Sequence, residues 1–273
     1  MVSTKDIKDS LLNIFATLSF TVVMITLLLI VGTTIIRGIK AINLDFFFAL
    51  PNPPGQPGGG ILNAIVGSLI LVVISMSISI PVALAVAIYL YRSRNTGLKE
   101  LIRVANDALA GTPSIVAGVF VYLVVVVPIT GFSALAGALA LSFLATPVMV
   151  SVFEEALKLV PHEILEAAVS LGVEDWKVLL FVIVREALPM ILSGILIALG
   201  RIIGETAPLI FTAFGSPSLN LDPTQPTSAL PLLIYNYAMS PWKDWQEKAW
   251  GAAFVLTILE LLIYLLSRRI SKR

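Results

Sequence analysis

EEALKLVPHEILEAAVSLGVEDWKVLLFVIVREALPMILSGILIALGRIIGETAPLIF, from Glu154 to Phe211, decides how this chain is read. A charged segment containing Ala and Gly stands between two long apolar runs. Arg201 and Glu205 then lie four residues apart inside the second run. The first feature has the make-up of a docking segment. The second puts ionisable groups where the hydrocarbon of a bilayer belongs. Together they point to a subunit of a transport system rather than to an enzyme or a simple anchor.

Composition agrees with that reading. Of 273 residues, 58% are hydrophobic and 13% charged, where soluble domains carry about a quarter charged residues. The chain reads as an all-α polytopic membrane protein. A net charge of +1 offers no bulk basic signal for nucleic acid. The absence of cysteine excludes disulfides, thiol catalysis and Cys-based metal sites. A single histidine, His162, argues against a His-rich metal site and reads as a solvated interface residue. Lys5 and Lys8 precede an apolar run from Leu11 to Ile36 that is too long for a signal peptide and lacks an Ala-x-Ala after it, so it is read as a retained helix.

A spanning helix needs about 20 apolar residues, and six such spans are expected. The first is Leu11–Ile36, followed by an exposed Pro/Gly connector, Pro51–Gly60. The second, Ile61–Tyr91, exceeds one bilayer thickness, so Pro81 should kink it or its end should project. A basic loop carries Arg92, Arg94, Lys99 and Arg103. The uncharged stretch from Ala108 to Phe153 fits two spans with a turn at Pro128–Ser133. The fifth lies within Val178–Phe214, and the last covers Ala249–Ser267. In outline, residues 1–60 hold the tail, the first span and the connector. Residues 61–273 hold five spans, the charged segment 154–177 and a polar loop 214–248. With both termini inside, Lys and Arg number thirteen on the inner side and four outside, with Arg201 left in the fifth span. The positive-inside rule therefore puts both termini in the cytoplasm and Trp242, Trp245 and Trp250 at the outer interface.

Glu154–Lys177 holds six acids (Glu154, Glu155, Glu163, Glu166, Glu174, Asp175) and two lysines. Pro161 suits a helix start and Gly172 a helix stop. Between them Ile164, Leu165, Ala168 and Val169 recur near helical spacing, so a short amphipathic helix is expected. It could lie on the inner leaflet, but anionic lipid would repel its acids. A protein groove is the better partner, and small residues at Ala167, Ala168 and Gly172 would permit close backbone approach.

Arg201 and Glu205, at i and i+4, are expected on one helix face. A guanidinium offers a planar fork for pairs of phosphate or carboxylate oxygens and stays charged. Glu205 could hold Arg201 while the site is empty, or accept a proton from a partly protonated oxyanion. A structural ion pair between helices is the alternative. Gly204 and Pro208 should loosen the helix around the pair, as transporters often do beside a substrate path. Thr112 and Ser114, in Gly111-Thr112-Pro113-Ser114, could present backbone N–H groups to an anion, although an ordinary helix start explains them too. Asp107 is a candidate cap, and Glu260 a helix contact within the last span.

The residues EAAVSLG (Glu166–Gly172) resemble the EAA motif of ABC importer permeases, where a short coupling helix docks on a partner ATPase. The motif's Leu-Pro position falls on Val184–Arg185 here, and Leu188–Pro189 follows one turn later. ALGRIIGETAPLIFTA (Ala198–Ala213) resembles the signature of the phosphate-import permeases of the PstA type. So do Ala110–Pro128, Phe132–Leu141 and Ala229–Pro241. The resemblance covers nearly all of the chain from Ile61 onward. It implies a type I ABC importer permease fold with six transmembrane helices in the cytoplasmic membrane. It also implies phosphate import by alternating access, a second permease of the PstC type, an ATPase dimer of the PstB type and an external PstS-type phosphate-binding protein. By the same resemblance Glu166, Ala167, Ala168 and Gly172 are the docking residues, while Arg201, Glu205, Thr112 and Ser114 are, on their own chemistry, the candidates for the substrate path.

No Gly-x-x-x-x-Gly-Lys-Ser/Thr occurs, so this chain builds no Walker A loop. ATP and Mg2+ are therefore expected on a separate subunit, with no cofactor or metal here. Sulfate, molybdate or tungstate are alternative cargoes. An ATPase-independent carrier or a membrane scaffold is the alternative from another class, and a membrane enzyme is the least supported.

Overall fold

The computed structural model describes residues 4–129, 131–170 and 172–270. Helix α1 (Thr4–Ala41) is followed by a short α2 (Leu44–Phe48) and by α3 (Leu62–Arg92). Next come α4 (Thr96–Ala110) and α5 (Ser114–Val121), which a π-helical stretch, Tyr122–Val126, joins to α6 (Val127–Ile129). Then follow α7 (Ala134–Lys158), α8 (His162–Ser170) and α9 (Asp175–Lys177). A second π-helical stretch, Val178–Ile183, leads through α10 (Val184–Glu186) into α11 (Leu188–Ile203). The chain ends in α12 (Ala207–Thr212), α13 (Leu230–Ala238) and α14 (Lys243–Ile270). Among the described residues no strand forms beyond two isolated bridges, Pro51–Gly59 and Phe214–Thr227.

Four helices are long and apolar enough to cross a membrane: α1 from Leu12, α3, α7 and α14. Two bent pairs raise the number to six, Thr96–Ala110 with Ser114–Ile129 at 101° and Val178–Glu186 with Leu188–Ile203 at 68°. The sequence expectation of a basic loop before the third span is corrected here, because most of that stretch is α4. Leu98, Leu101, Ile102, Ala105 and Leu109 repeat at helical spacing, and Asn95 caps the helix by accepting from the Leu98 N–H at 3.1 Å. Counting apolar residues misses such a helix, because only one side of it is apolar. Its polar side docks on α7. The Asn106 amide donates to Ser151 Oγ at 3.0 Å and to the Pro147 carbonyl at 3.3 Å. Asp107 lies inside α4 and does not cap α5, whose N-cap is Pro113 with no side-chain hydrogen bond. Helix α3 runs unbroken through Pro81, and its 31 residues reach about 46 Å. It projects past a hydrocarbon core about 30 Å thick.

Helix α7 is the hub, packing against α3, α4, α5, α11 and α12. Ala134, Ala136, Gly137, Ala138, Ala140 and Ala145 are buried along it, and such small residues let helices approach closely inside a membrane. Buried serines then find partners between helices. Ser142 Oγ meets Ser75 Oγ at 3.3 Å, joining α7 to α3, and Ser193 Oγ meets Ser267 Oγ at 2.9 Å, joining α11 to α14. Each such bond contributes about 0.6 kcal/mol.

The stretch between α12 and α13, expected as a polar loop, is partly buried. Its carbonyls satisfy the start of α7: Ser133 N–H donates to Thr212, Ala134 to Gln225 and Leu135 to Pro223, at 3.0, 3.0 and 2.9 Å. Ser68 Oγ accepts from the Leu230 N–H at 2.8 Å, and the Asn63 amide donates to the Ser216 carbonyl at 2.7 Å. A helix start has orphan N–H groups, and here the loop supplies their acceptors. Asp222 accepts from Thr224 through both backbone N–H and hydroxyl, which holds its carboxyl below the usual range. The loop's turn is thus kept by an ionised group. A second cluster of Phe46, Ile61, Leu233 and Tyr237 fastens α2 and α13 to the start of α14.

Candidate functional site

The run around Arg201 and Glu205 is not one continuous helix. Helix α11 ends at Ile203, and Gly204 forms its C-cap. Pro208, at the start of α12, has no N–H to continue the ladder. Arg201 therefore sits in the last turn of α11, the end that favours a cation, and Glu205 falls in the gap. This corrects the expectation that they share a helix face. Among the described residues no ion pair joins them. Arg201 is exposed and Glu205 half-buried.

A third ionisable group reaches the same gap. Glu260 Oε1 lies 2.7 Å from where a Cβ on Gly204 would stand. Glu260 is four residues past the middle of α14, so the break lies near the mid-depth of that helix. The carboxylate opens into a cavity of about 520 Å³ that Ser193, Gly200, Tyr264, Ser267 and Arg268 also line. The helix contact expected for Glu260 is found, and its partner is the broken segment itself. A lone acid in the apolar run of α14, Ala249–Ser267, was the signal in the sequence. Its partner, 56 positions away (Gly204 to Glu260), had none.

Thr112 and Ser114 flank the 101° bend between α4 and α5. Thr112 Oγ1 donates to the Ala108 carbonyl at 2.9 Å and its N–H to Leu109 at 3.1 Å, so Thr112 closes the last turn of α4. Ser114 is half-buried at the first turn of α5. One turn later, a Cβ on Gly118 would stand 2.6 Å from Pro208 Cα. That packing sets α5 beside the break in the fifth span, about 6 Å of helix rise from Ser114. No hydrogen bond or ion pair joins Thr112 or Ser114 to Arg201 or Glu205 among the described residues.

The charged segment divides differently from its sequence pattern. Glu154 belongs to α7, is only 7% exposed, and is held by Arg103 at 2.5 Å and Lys158 at 2.6 Å. It ties α4 to the end of α7 and so braces the root of α8. On α8, Glu166 and Ala167 are exposed, whereas Ala168 is buried in the main core with Val178. The small side chain of Ala168 thus serves the approach of α8 to its own chain. Gly172 takes φ +72° with nothing within 4 Å, so the backbone turn, not crowding, demands glycine. The expectations for His162, Leu165, Val169 and Asp175 concern side chains that lie outside the described residues. Leu188–Pro189 falls at the 68° bend, with Pro189 opening α11.

Gly172 yields a test. Asn adopts the left-handed conformation readily, while a branched residue there costs about 1–2 kcal/mol. Gly172→Asn should keep the thermal stability of the wild-type protein in detergent, and Gly172→Val should lower it. Equal stability of both variants would show that the turn is dispensable.

A family model described as "Binding-protein-dependent transport system inner membrane component" matches residues 61–273. The phosphate transport system permease protein PstA of Xylella fastidiosa is 44% identical over 243 residues, covering 88% of this chain and 84% of that protein. The probable phosphate transport system permease protein PstA of Methanocaldococcus jannaschii is 39% identical over 207 residues, covering 76% and 74%. Among solved structures, a chain of a bacterial alginate ABC transporter, in complex with an alginate-bound periplasmic protein, superposes with a TM-score of 0.66. It is 18% identical, with 98% of this chain and 96% of that chain covered. A chain of the MetNI methionine ABC transporter gives 0.60 at 18% identity, covering 78% and 93%. At that identity the likeness concerns the fold.

Proposed function

Since this chain belongs to the family of binding-protein-dependent transport system inner membrane components, we propose that it carries inorganic phosphate inward across the cytoplasmic membrane. It is the permease component of an ABC importer and a multi-pass membrane protein, and ATP use belongs to a partner ATPase. The family also implies a substrate-binding protein. The finer assignment is to a second permease of the PstC type, a PstB-type ATPase dimer and an external PstS-type protein, with both termini of this chain in the cytoplasm.

The observation that carries the reading is the helix break holding Arg201 and Glu205, with Glu260 pressed against it. Charged side chains at such depth belong on a polar path or a protein interface, not on lipid. Arg201 carries no ion pair to Glu205, so its fork is available to two oxygens of one anion. Glu205 is left as an acceptor. Phosphate keeps a hydroxyl at neutral pH and can donate to a carboxylate, whereas sulfate is fully ionised and is repelled by it. A carboxylate at the same helix break as an arginine therefore favours phosphate among tetrahedral oxyanions.

ATP binding closes the ATPase dimer around α8, with Glu166 and Ala167 turned toward its groove. The motion then passes through the π-helical stretch Val178–Ile183 and the bend at Leu188–Pro189 into α11. π-helical turns and proline bends are common hinges, so the connection from docking end to anion end is a jointed arm.

The test is uptake by the complete importer in proteoliposomes, with phosphate and sulfate as competing cargoes. Wild type should take up phosphate and ignore sulfate. Glu205→Gln should reduce phosphate uptake roughly tenfold, the weight of one charge-assisted hydrogen bond, and narrow the margin over sulfate. Sulfate carried by wild type as well as phosphate would overturn the assignment.

A further inference from the structure

Three cations gather where α1 ends and α14 begins. Arg37 and Lys40 of α1 and Lys243 of α14 line a cavity of about 390 Å³ with Gln246, Glu247 and Trp250. The Arg37 guanidinium stands 5.0 Å from the Trp250 ring centroid, a cation–π contact that fixes where its charge points. Among the described residues no ion pair joins Arg37, Lys40 or Lys243 to an acid, and Glu247 is the only acid in the lining. Lys243 also opens a 28-residue helix, whose N-terminus is already the positive end of its dipole. Like charges are thus collected against a positive helix end, and the arrangement is repulsive until an anion enters.

The surroundings say how that anion arrives. Trp242, Trp245 and Trp250 cluster at this level, where indoles mark a membrane–water boundary. Helix α1 exposes Leu27, Leu28, Ile30 and Ile36, and none of its most apolar window is buried. Its hold on the body comes near its last turns, where Gly38 meets Phe254 and Trp250. The cavity therefore lies between the end of α1 and the start of α14, at the level where these tryptophans place the headgroups. A phosphate that reaches it from the side carries acyl chains, and the exposed apolar side chains of α1 give those chains a surface. We propose that this cavity binds the phosphate of an anionic phospholipid headgroup, and that the bound lipid helps fasten α1 to α14.

The complete importer, purified with a mixture of phosphatidylglycerol and phosphatidylcholine, is examined by native mass spectrometry for lipid that stays bound. Phosphatidylglycerol should be retained preferentially. Lys40→Gln alone should weaken that retention roughly fivefold, and the combined Arg37→Gln, Lys40→Gln, Lys243→Gln variant roughly a hundredfold. Lys40→Arg with Lys243→Arg should keep it, and so should Arg268→Gln with Arg269→Gln at the opposite end of α14. Full retention by the triple variant overturns the site. Equal loss on removing Arg268 and Arg269 reduces it to diffuse attraction. Displacement of phosphatidylglycerol by millimolar inorganic phosphate would assign the cavity to the free anion and overturn the headgroup.

Discussion

Arg201→Ala should leave an importer that assembles but barely carries phosphate. Uptake and phosphate-stimulated ATP hydrolysis should fall by about a hundredfold or more, the weight of the two charge-assisted hydrogen bonds of about 1.5–3 kcal/mol each that the proposed anion contact would lose. The side chain is exposed at the end of α11 and holds no helix to another through an ion pair, so its removal should spare the fold. Arg201→Lys separates charge from shape. It keeps the cation and loses the planar fork, so it should recover part of the rate. The readout is uptake by proteoliposomes alongside the amount of ATPase that co-purifies. Normal uptake by an assembled Arg201→Ala importer would remove Arg201 from the substrate path.

Gly118→Val should prevent stable assembly. A Cβ at Gly118 would stand 2.6 Å from Pro208 Cα, 3.1 Å from its carbonyl and 3.2 Å from its Cβ. These are mostly backbone atoms of α12, and α12 cannot retreat. Thr212 Oγ1 holds the Pro208 carbonyl at 2.7 Å, and the Thr212 carbonyl accepts from Ser133 at the start of α7. Overpacking of this kind costs about 1–3 kcal/mol where side chains can yield, and more where they cannot. The variant should be lost from detergent extracts at moderate temperature, and Gly118→Ala should be weakened less. Gly32, half-buried on α1, has nothing within 4 Å of a Cβ placed there, so Gly32→Ala should be neutral. Equal thermal stability of Gly118→Val and wild type would sink the claim that α5 positions the broken span.

Much of this was legible residue by residue. Ser133 was expected at a turn and caps α7 with its hydroxyl, accepting from the Ala136 N–H at 3.1 Å. Gly172 was expected to stop a helix, and its positive φ does so. Gly204 and Pro208 announced a loosened helix around Arg201. The depth of that loosening was not legible, since i and i+4 spacing alone places Arg201 and Glu205 on a shared face. Nor could α4 be found by hydropathy, because it exposes apolar residues on one side and docks Arg103 and Asn106 with the other. Ala168 was grouped with outward-facing small residues, although its environment is the core.

The order of apolar runs, their Gly and Pro punctuation and the charged interruption were enough to establish six candidate spans and an all-helical chain. The reason is local: a bilayer demands about 20 apolar residues per crossing, and helix ends are written within a turn of themselves. Only the tertiary structure decided that Glu260 meets Gly204, that Glu154 braces Arg103, and that Pro208 lies under Gly118. Those contacts join residues tens of positions apart. They depend on which helix faces meet, and similar apolar runs could meet by many faces until small residues and buried polar groups select one.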